Sequence, residues 1–325
     1  MLSRRGMMIG AAAGTALVVT GCGKVGQVAD FVQRMVEIQK RHGGRVGLCA
    51  LTAAGSTTAK ITSGNGTSTS DGSINIQSEE RFAHCSTFKW LLAAAILQKV
   101  DAGTMTLDDV VPYGKADLLD YAPTTKAHVG DGHMKLGDLC QAAIQLSDNT
   151  AANLLLARVG GPAGLTAFAR SLGDTVTRFD RTEPDLNSNL PNDPRDTTTP
   201  AAMAQLLKTV FLGVTLSATS LAQLKTWMLG STTGLKEIRA GVPAGALVAD
   251  KTGHGANGSV NDVAVIWPKD TSGKEQPPVF LAIYTSGGTL DDDGRYKVVA
   301  DLTKLVFDML GFAESLDSSS SASAS

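Results

Sequence analysis

The chain has 325 residues, 43% of them hydrophobic and 18% charged, enough to bury a sizeable core in one or two soluble domains. A formal net charge of −2 gives no attraction towards nucleic acid or an anionic membrane. Aromatic residues make up 5%, too few for a base-stacking surface.

Ser3-Arg4-Arg5-Gly6 precedes an uncharged run over residues 7–20, rich in Ala, Val and Gly. A charged start followed by an apolar stretch too short to span a bilayer reads as an export signal. The paired arginines resemble a twin-arginine signal. Val19-Thr20-Gly21-Cys22 resembles a lipobox, in which Cys22 would carry a lipid anchor; ordinary cleavage near Gly21 would instead release a free periplasmic protein. Either way residues 1–22 stand apart from the fold, and the chain is expected to be exported, periplasmic or associated with the cell envelope. Cys49, Cys85 and Cys140 remain, set among apolar or small residues and read as buried free thiols with no metal-ligand spacing.

Residues 25–41 carry Val28, Phe31, Val32, Met35 and Ile38 at helical intervals, and Gly43-Gly44 closes that helix. Residues 45–52 and 58–61 read as strands around a Gly-Ser turn, and 63–73 as a Gly/Ser/Thr loop. A buried apolar helix opens at Ser86 and runs to Gly103. Helices follow at 135–144, 149–159, 163–172, 200–212 and 217–229. Three β-rich runs at 246–251, 261–267 and 279–284 predict an antiparallel sheet, followed by a helix over 295–309 and a Ser/Ala tail. Strands at both ends with helices between predict a discontinuous α/β sheet domain (25–80 and 236–312), interrupted by an all-α domain (81–235), with 313–325 disordered.

Ser86-Thr87-Phe88-Lys89 places a hydroxyl and an ammonium one helical turn apart, a nucleophile beside a base. The helix terminus would stabilise an oxyanion there. An N-cap serine with a chance lysine would look the same. Ser147-Asp148-Asn149 before a helix and Lys251-Thr252-Gly253 ending a strand are each weak alone. S-x-x-K, S-D-N and K-T-G in that order on those elements, however, form the signature of penicillin-recognising serine enzymes.

Over residues 31–311 the chain resembles the class A serine β-lactamases. The resemblance implies an α/β two-domain fold, with an antiparallel sheet flanked by helices, an inserted all-α domain and the site in the cleft between them. Glu183 and Asn187, in the loop Arg181-Thr182-Glu183-Pro184-Asp185-Leu186-Asn187, match the pair that holds the hydrolytic water in that class. Opening a strained amide needs an activated hydroxyl, an oxyanion site and a proton for the departing nitrogen. Ser86 is the nucleophile, and its proton goes to a neutral Lys89 or, through water, to Glu183. Ser147 relays a proton to the ring nitrogen, with Lys251 polarising it. By resemblance, Asn149 bonds the substrate's side-chain amide, Thr252 its carboxylate, and the backbone N–H groups of Ser86 and His254 form the oxyanion hole. Arg181 and Asp196 would pair at the neck of the loop, a cis peptide would precede Pro184, and Tyr121 would wall the cleft mouth.

Departures from the family accompany these matches. His254 stands where a small residue is usual, and Glu237 and Val260 stand where many relatives place an arginine for the substrate carboxylate. Arg295 is the substitute candidate. Gly255 denies Cys85, the residue before the nucleophile, the disulfide that some carbapenem-hydrolysing relatives make there. The implied partner is a small-molecule β-lactam, taken by a monomer with no metal or cofactor. A DD-peptidase or a penicillin-binding sensor that acylates and stalls would share the first three motifs.

Overall fold

The structure, a computed structural model, describes residues 8–11, 15–18, 25–53 and 73–312. The lipobox, the strand expected at 58–61 and the Ser/Ala tail lie outside the described residues. Near the start of the sequence, Met8–Ala11 and Thr15–Val18 pair as antiparallel strands. No helix among the described residues is long and apolar enough to cross a membrane.

The organising element is a five-stranded antiparallel sheet. Its strands are β1 (Gly44–Thr52), β2 (Ser73–Ile76), β3 (Leu247–Gly255), β4 (Ser259–Trp267) and β5 (Val279–Gly287), in spatial order β2-β1-β5-β4-β3. The central strands are almost continuously apolar because both faces are covered. Their alternation splits the core in two: Val263, Val265, Phe280 and Tyr284 face one side, while Ala264, Ile266, Leu281 and Ile283 face the other. The second face is covered by α1 (Val25–His42), through Phe31, Met35 and Ile38, and by the last helix, α8 (Asp292–Leu310).

Against the first face lie the helices of the middle of the chain. α2 (Lys89–Asp101) runs through their centre with every side chain from Lys89 to Leu97 buried. A helix apolar all round must be enclosed on all sides, and each fully buried Leu or Ile contributes about 1.5–3 kcal/mol. Around it stand α3 (Leu136–Gln145), α4 (Asn149–Arg158), α5 (Gly161–Ser171), α6 (Pro200–Leu212) and α7 (Ala218–Leu229). α6 packs on β1 and β5, so a helix from within 81–235 forms part of the sheet's inner layer.

Candidate active site

Ser86 lies where helices and sheet meet. It belongs to a 3₁₀ turn, Cys85–Phe88, that leads into α2, so the helix proper begins at Lys89. In a 3₁₀ turn, residues three apart eclipse, and Lys89 Nζ lies 2.9 Å from Ser86 Oγ. Two strands fix the turn from below. Asn261 of β4 donates to Ala83 O at 3.0 Å, and Tyr284 Oη of β5 lies 3.0 Å from Thr87 Oγ1. β3 passes so close that a Cβ at Gly253 would meet Thr87 N at 2.8 Å and His84 O at 2.9 Å, and one at Gly255 would meet Cys85 Sγ at 2.7 Å. The glycine of the K-T-G motif is thus a packing requirement of the nucleophile's turn.

Ser147 and its neighbours arrive from the helical side. Ser147 has a φ of 56°, in the left-handed region that few non-glycine residues occupy, and its hydroxyl is held between two ammonium groups, with Lys251 Nζ at 3.0 Å and Lys89 Nζ at 3.3 Å. Asp148 sits wholly buried behind it. One oxygen caps α4 through Ala151 N, and the other accepts from Thr124 N and Thr125 N, all at 2.9 Å. That clamp ties the segment after Tyr121 to α4, and Asn149 N donates to Tyr121 O at 3.1 Å. Tyr121 itself is half exposed beside Asn149. Asn149 Oδ1 accepts from Lys89 Nζ at 2.6 Å.

Glu183 closes the constellation. Ser86 Oγ donates to its Oε1 at 2.9 Å, Lys89 Nζ lies 2.9 Å from the same oxygen, and Asn187 Nδ2 donates to its Oε2 at 2.5 Å. Its backbone is pinned by Asn153 of α4: Glu183 N donates to Asn153 Oδ1 and Asn153 Nδ2 to Glu183 O, both at 2.9 Å. The peptide before Pro184 is cis. At the loop's neck Arg181 Nε meets Asp196 Oδ2 at 2.5 Å, while Asp196 Oδ1 accepts from Asp180 N and Arg181 N at 2.8 and 2.9 Å. Asn153 was not apparent in the sequence, although it lies four residues from Asn149, on the same helix face.

On β3, Asp250, Thr252 and His254 alternate onto one side, and each meets the segment after α7. Asp250 accepts from Arg239 Nε at 2.6 Å, Thr252 Oγ1 lies 2.6 Å from Thr233 Oγ1, and His254 Nε2 lies 2.8 Å from Glu237 Oε1. Thr233 also escaped the sequence reading. Arg295 is not brought to this row by its described contacts: its Nη1 donates to Asp292, one turn away in α8. The α8 side chain beside His254 is Tyr296, with ring centroids 5.4 Å apart. The three described cysteines are buried and free.

Burial shapes the charges. Lys89 and Lys251 are both fully buried. Desolvation holds Lys89 below the ordinary lysine value although the Glu183 carboxylate opposes the shift. Desolvation and then the charge of Lys89 push Lys251 down to about 7. Burial would raise Glu183, but Lys89 and the hydrogen bonds from Ser86 and Asn187 leave it below the usual carboxylate value. The result is an ionised acceptor and a crowded donor on one serine hydroxyl, an arrangement suited to making and releasing an ester.

The chain matches the Beta-lactamase enzyme family over residues 28–310. It is 43% identical over 279 residues to the β-lactamase CTX-M-97 of Escherichia coli, covering 86% of this chain and 89% of that protein. Identity is 40% over 304 residues to the β-lactamase OXY-1 of Klebsiella oxytoca, covering 93% and 97%. Among solved structures, the class A β-lactamase reconstructed for the last common ancestor of Gram-negative bacteria superposes with a TM-score of 0.78 at 48% identity, covering 86% of this chain and 99% of that one. With the motifs, the sheet order and the buried Ser86–Lys89–Glu183 cluster in agreement, the chain belongs to the class A serine β-lactamases.

Proposed function

We propose that this class A β-lactamase opens the ring of penicillins and cephalosporins through an ester on Ser86 and frees itself with a water activated by Glu183, so conferring β-lactam resistance. The observation that carries the reading is the Glu183 carboxylate within hydrogen-bond reach of Ser86 Oγ, at 2.9 Å. Ser86 Oγ donates to that carboxylate while accepting from Lys89, so its proton has a short path to Glu183, and a neutral Lys89 takes it where Glu183 is removed. Oγ then attacks the lactam carbonyl, and the backbone N–H groups of Ser86 and His254 receive the oxyanion. As the C–N bond breaks, Ser147 gives its proton to the ring nitrogen and takes one from a lysine beside it, and Lys89 recovers the proton held by Glu183, which leaves that carboxylate ionised for the second half. Asn149, with its oxygen engaged by Lys89, has its amide N–H left to donate to the substrate's side chain, and Tyr121 flanks it. Lys251 and Thr252 attract the substrate's carboxylate. In the second half, Glu183 takes a proton from water, the hydroxide attacks the ester, and Ser86 leaves as the alcohol. The paired arginines and Gly21-Cys22 support export to the cell envelope, with or without lipid on Cys22.

A chromogenic cephalosporin tests this. Sustained turnover by the purified protein is expected, whereas a single stoichiometric burst would favour a sensor or DD-peptidase. Glu183→Ala should slow hydrolysis by about 10²–10⁴-fold and leave a covalent adduct on Ser86 in intact-mass spectra. Absence of any adduct would count against the assigned roles.

A further inference from the structure

Glu237 and His254 form the outer pair of the row on β3, and the chemistry above uses neither side chain. Glu237 is 1% exposed, and its second oxygen, Oε2, has no hydrogen-bond partner. The imidazole it touches is 39% exposed, two residues beyond Thr252 on the cleft strand. We propose that Glu237 and His254 act as one proton-sharing receptor for the substrate's carboxylate, in which the imidazole Nδ1–H binds the anion and Glu237 hands a second proton to the ring when the anion arrives. This rests on the functional reading given above.

The 2.8 Å contact between His254 Nε2 and Glu237 Oε1 requires one proton between them. In the free protein that proton belongs to Glu237. Its burial, and then the Asp250 carboxylate, raise it well above the ordinary value, while burial and then Lys251 lower His254 to about 4. An unpartnered buried oxygen also costs less on a neutral acid than on a carboxylate. The ring nitrogen Nε2 therefore accepts, which leaves the ring's own proton on Nδ1. A bound carboxylate raises the proton affinity of the ring, and the shared proton crosses from Oε1 to Nε2. The imidazolium then stands between two carboxylates, with no proton exchanged with solvent.

The surroundings favour this two-state behaviour. Lys251 and Asp250 face the pair from β3, Asp262 from β4, and Asp292 and Tyr296 from α8. Lys236, next to Glu237, is turned outward to Asp293 at 2.8 Å. Asp262 is fully buried, and burial and then Asp250 raise it well above the ordinary carboxylate value, so the acids behind the pair disfavour a further negative charge on Glu237. A cation thus forms at the place where many relatives carry a permanent arginine.

The test compares a penicillin with its methyl ester in the wild-type protein, His254→Ala and Glu237→Gln. His254→Ala keeps the backbone N–H and is expected to reduce the preference for acid over ester, as the ratio of KM values, by about 10-fold or more. Glu237→Gln holds the same ring tautomer through its amide N–H but has no proton to hand over, so a smaller loss is expected. Raising the pH ionises Glu237 in the wild-type protein and turns Nδ1 into an acceptor, so KM for the acid should rise more steeply than in Glu237→Gln, where only Lys251 titrates. An acid-to-ester ratio unchanged in His254→Ala, or superimposable pH profiles for wild type and Glu237→Gln, would overturn the proposal while leaving turnover intact. A wild-type protein that turns over neither substrate would remove the functional reading, and this pair's role with it.

Discussion

The two walls of the cleft are built on opposite principles. On the loop wall, around Glu183, each oxygen of Asp196 has a partner, Asn153 makes two reciprocal amide bonds to the Glu183 backbone, and Asn187 holds the carboxylate itself. On the strand wall, Glu237, Asp250 and Asp262 crowd behind Lys251, with Glu237 Oε2 and Asp262 Oδ1 unpartnered. The loop wall fixes a position, because a base that is misplaced by an ångström loses its water. The strand wall raises its acids above the ordinary carboxylate value, because burial and neighbouring carboxylates disfavour their charged forms. A cleft that binds an anion and then hydrolyses an ester needs both.

Breaking the loop wall should have the largest effect. Asp196→Ala removes a wholly buried carboxylate that accepts two backbone N–H groups and pairs with Arg181. Leaving those donors and that guanidinium without their partner is expected to cost about 3–5 kcal/mol of stability, read as a lower denaturant midpoint. Deacylation should slow more than acylation, because the hydrolytic water has only Glu183 as its base, whereas Ser86 Oγ also has Lys89 Nζ at 2.9 Å. A loss below about 1 kcal/mol would show that the loop is held elsewhere, for instance where Asn187 O accepts from Ala256 N at 2.9 Å.

A smaller effect is expected where the strand wall touches the nucleophile. Gly253→Ala would put a methyl group against Thr87 N and His84 O, backbone atoms that have no rotamer to change. Overpacking of this kind costs about 1–3 kcal/mol. Here it would push β3 away from the Ser86 turn, so kcat should fall along with stability. A stable variant of full activity would mean that the two backbones have slack.

Much of this was legible in the chain because the chemistry demands particular residue types at short spacings. Ser86 and Lys89 meet as the i,i+3 spacing requires, Glu183 and Asn187 share one turn of loop, and Arg181 pairs with Asp196. The helix expected at 200–212 is Pro200–Leu212, begun by a proline and capped by Thr199. What stayed hidden depends on tertiary placement. Short strands such as Ser73–Ile76 are set by their partner and carry too few residues to show a period. Asn153 and Thr233 act through a backbone and a hydroxyl far away in sequence. For Arg295, the substitute candidate, the direction of a side chain at a helix start is decided by packing: its Nη1 donates to Asp292, and the neighbouring Tyr296 meets His254.

The mildest probe is pH, and it separates the two walls without substituting the loop. Glu183 works ionised, and its carboxyl lies below the ordinary 4.5, so the loop wall keeps its base from the ordinary carboxylate range upward. Lys251 lies at about 7. Its charge is present below that pH and is lost as pH rises through it, and with it goes the attraction for an anionic substrate. kcat/KM, which reports the free enzyme, should therefore fall on an alkaline limb that begins near neutrality. In the complex the substrate's carboxylate favours the charged lysine, so the same limb in kcat should move to higher pH. Lys251→Arg, charged at every accessible pH, should remove the lysine's part of this limb and leave the part due to Glu237, at some expense in rate, because a planar guanidinium does not reproduce an ammonium that reaches both Ser147 Oγ at 3.0 Å and Thr252 O at 2.8 Å. Coincident alkaline limbs in kcat and kcat/KM, or a limb that survives in the double variant Lys251→Arg/Glu237→Gln, would place the titrating group elsewhere and leave the strand wall as rigid as the loop.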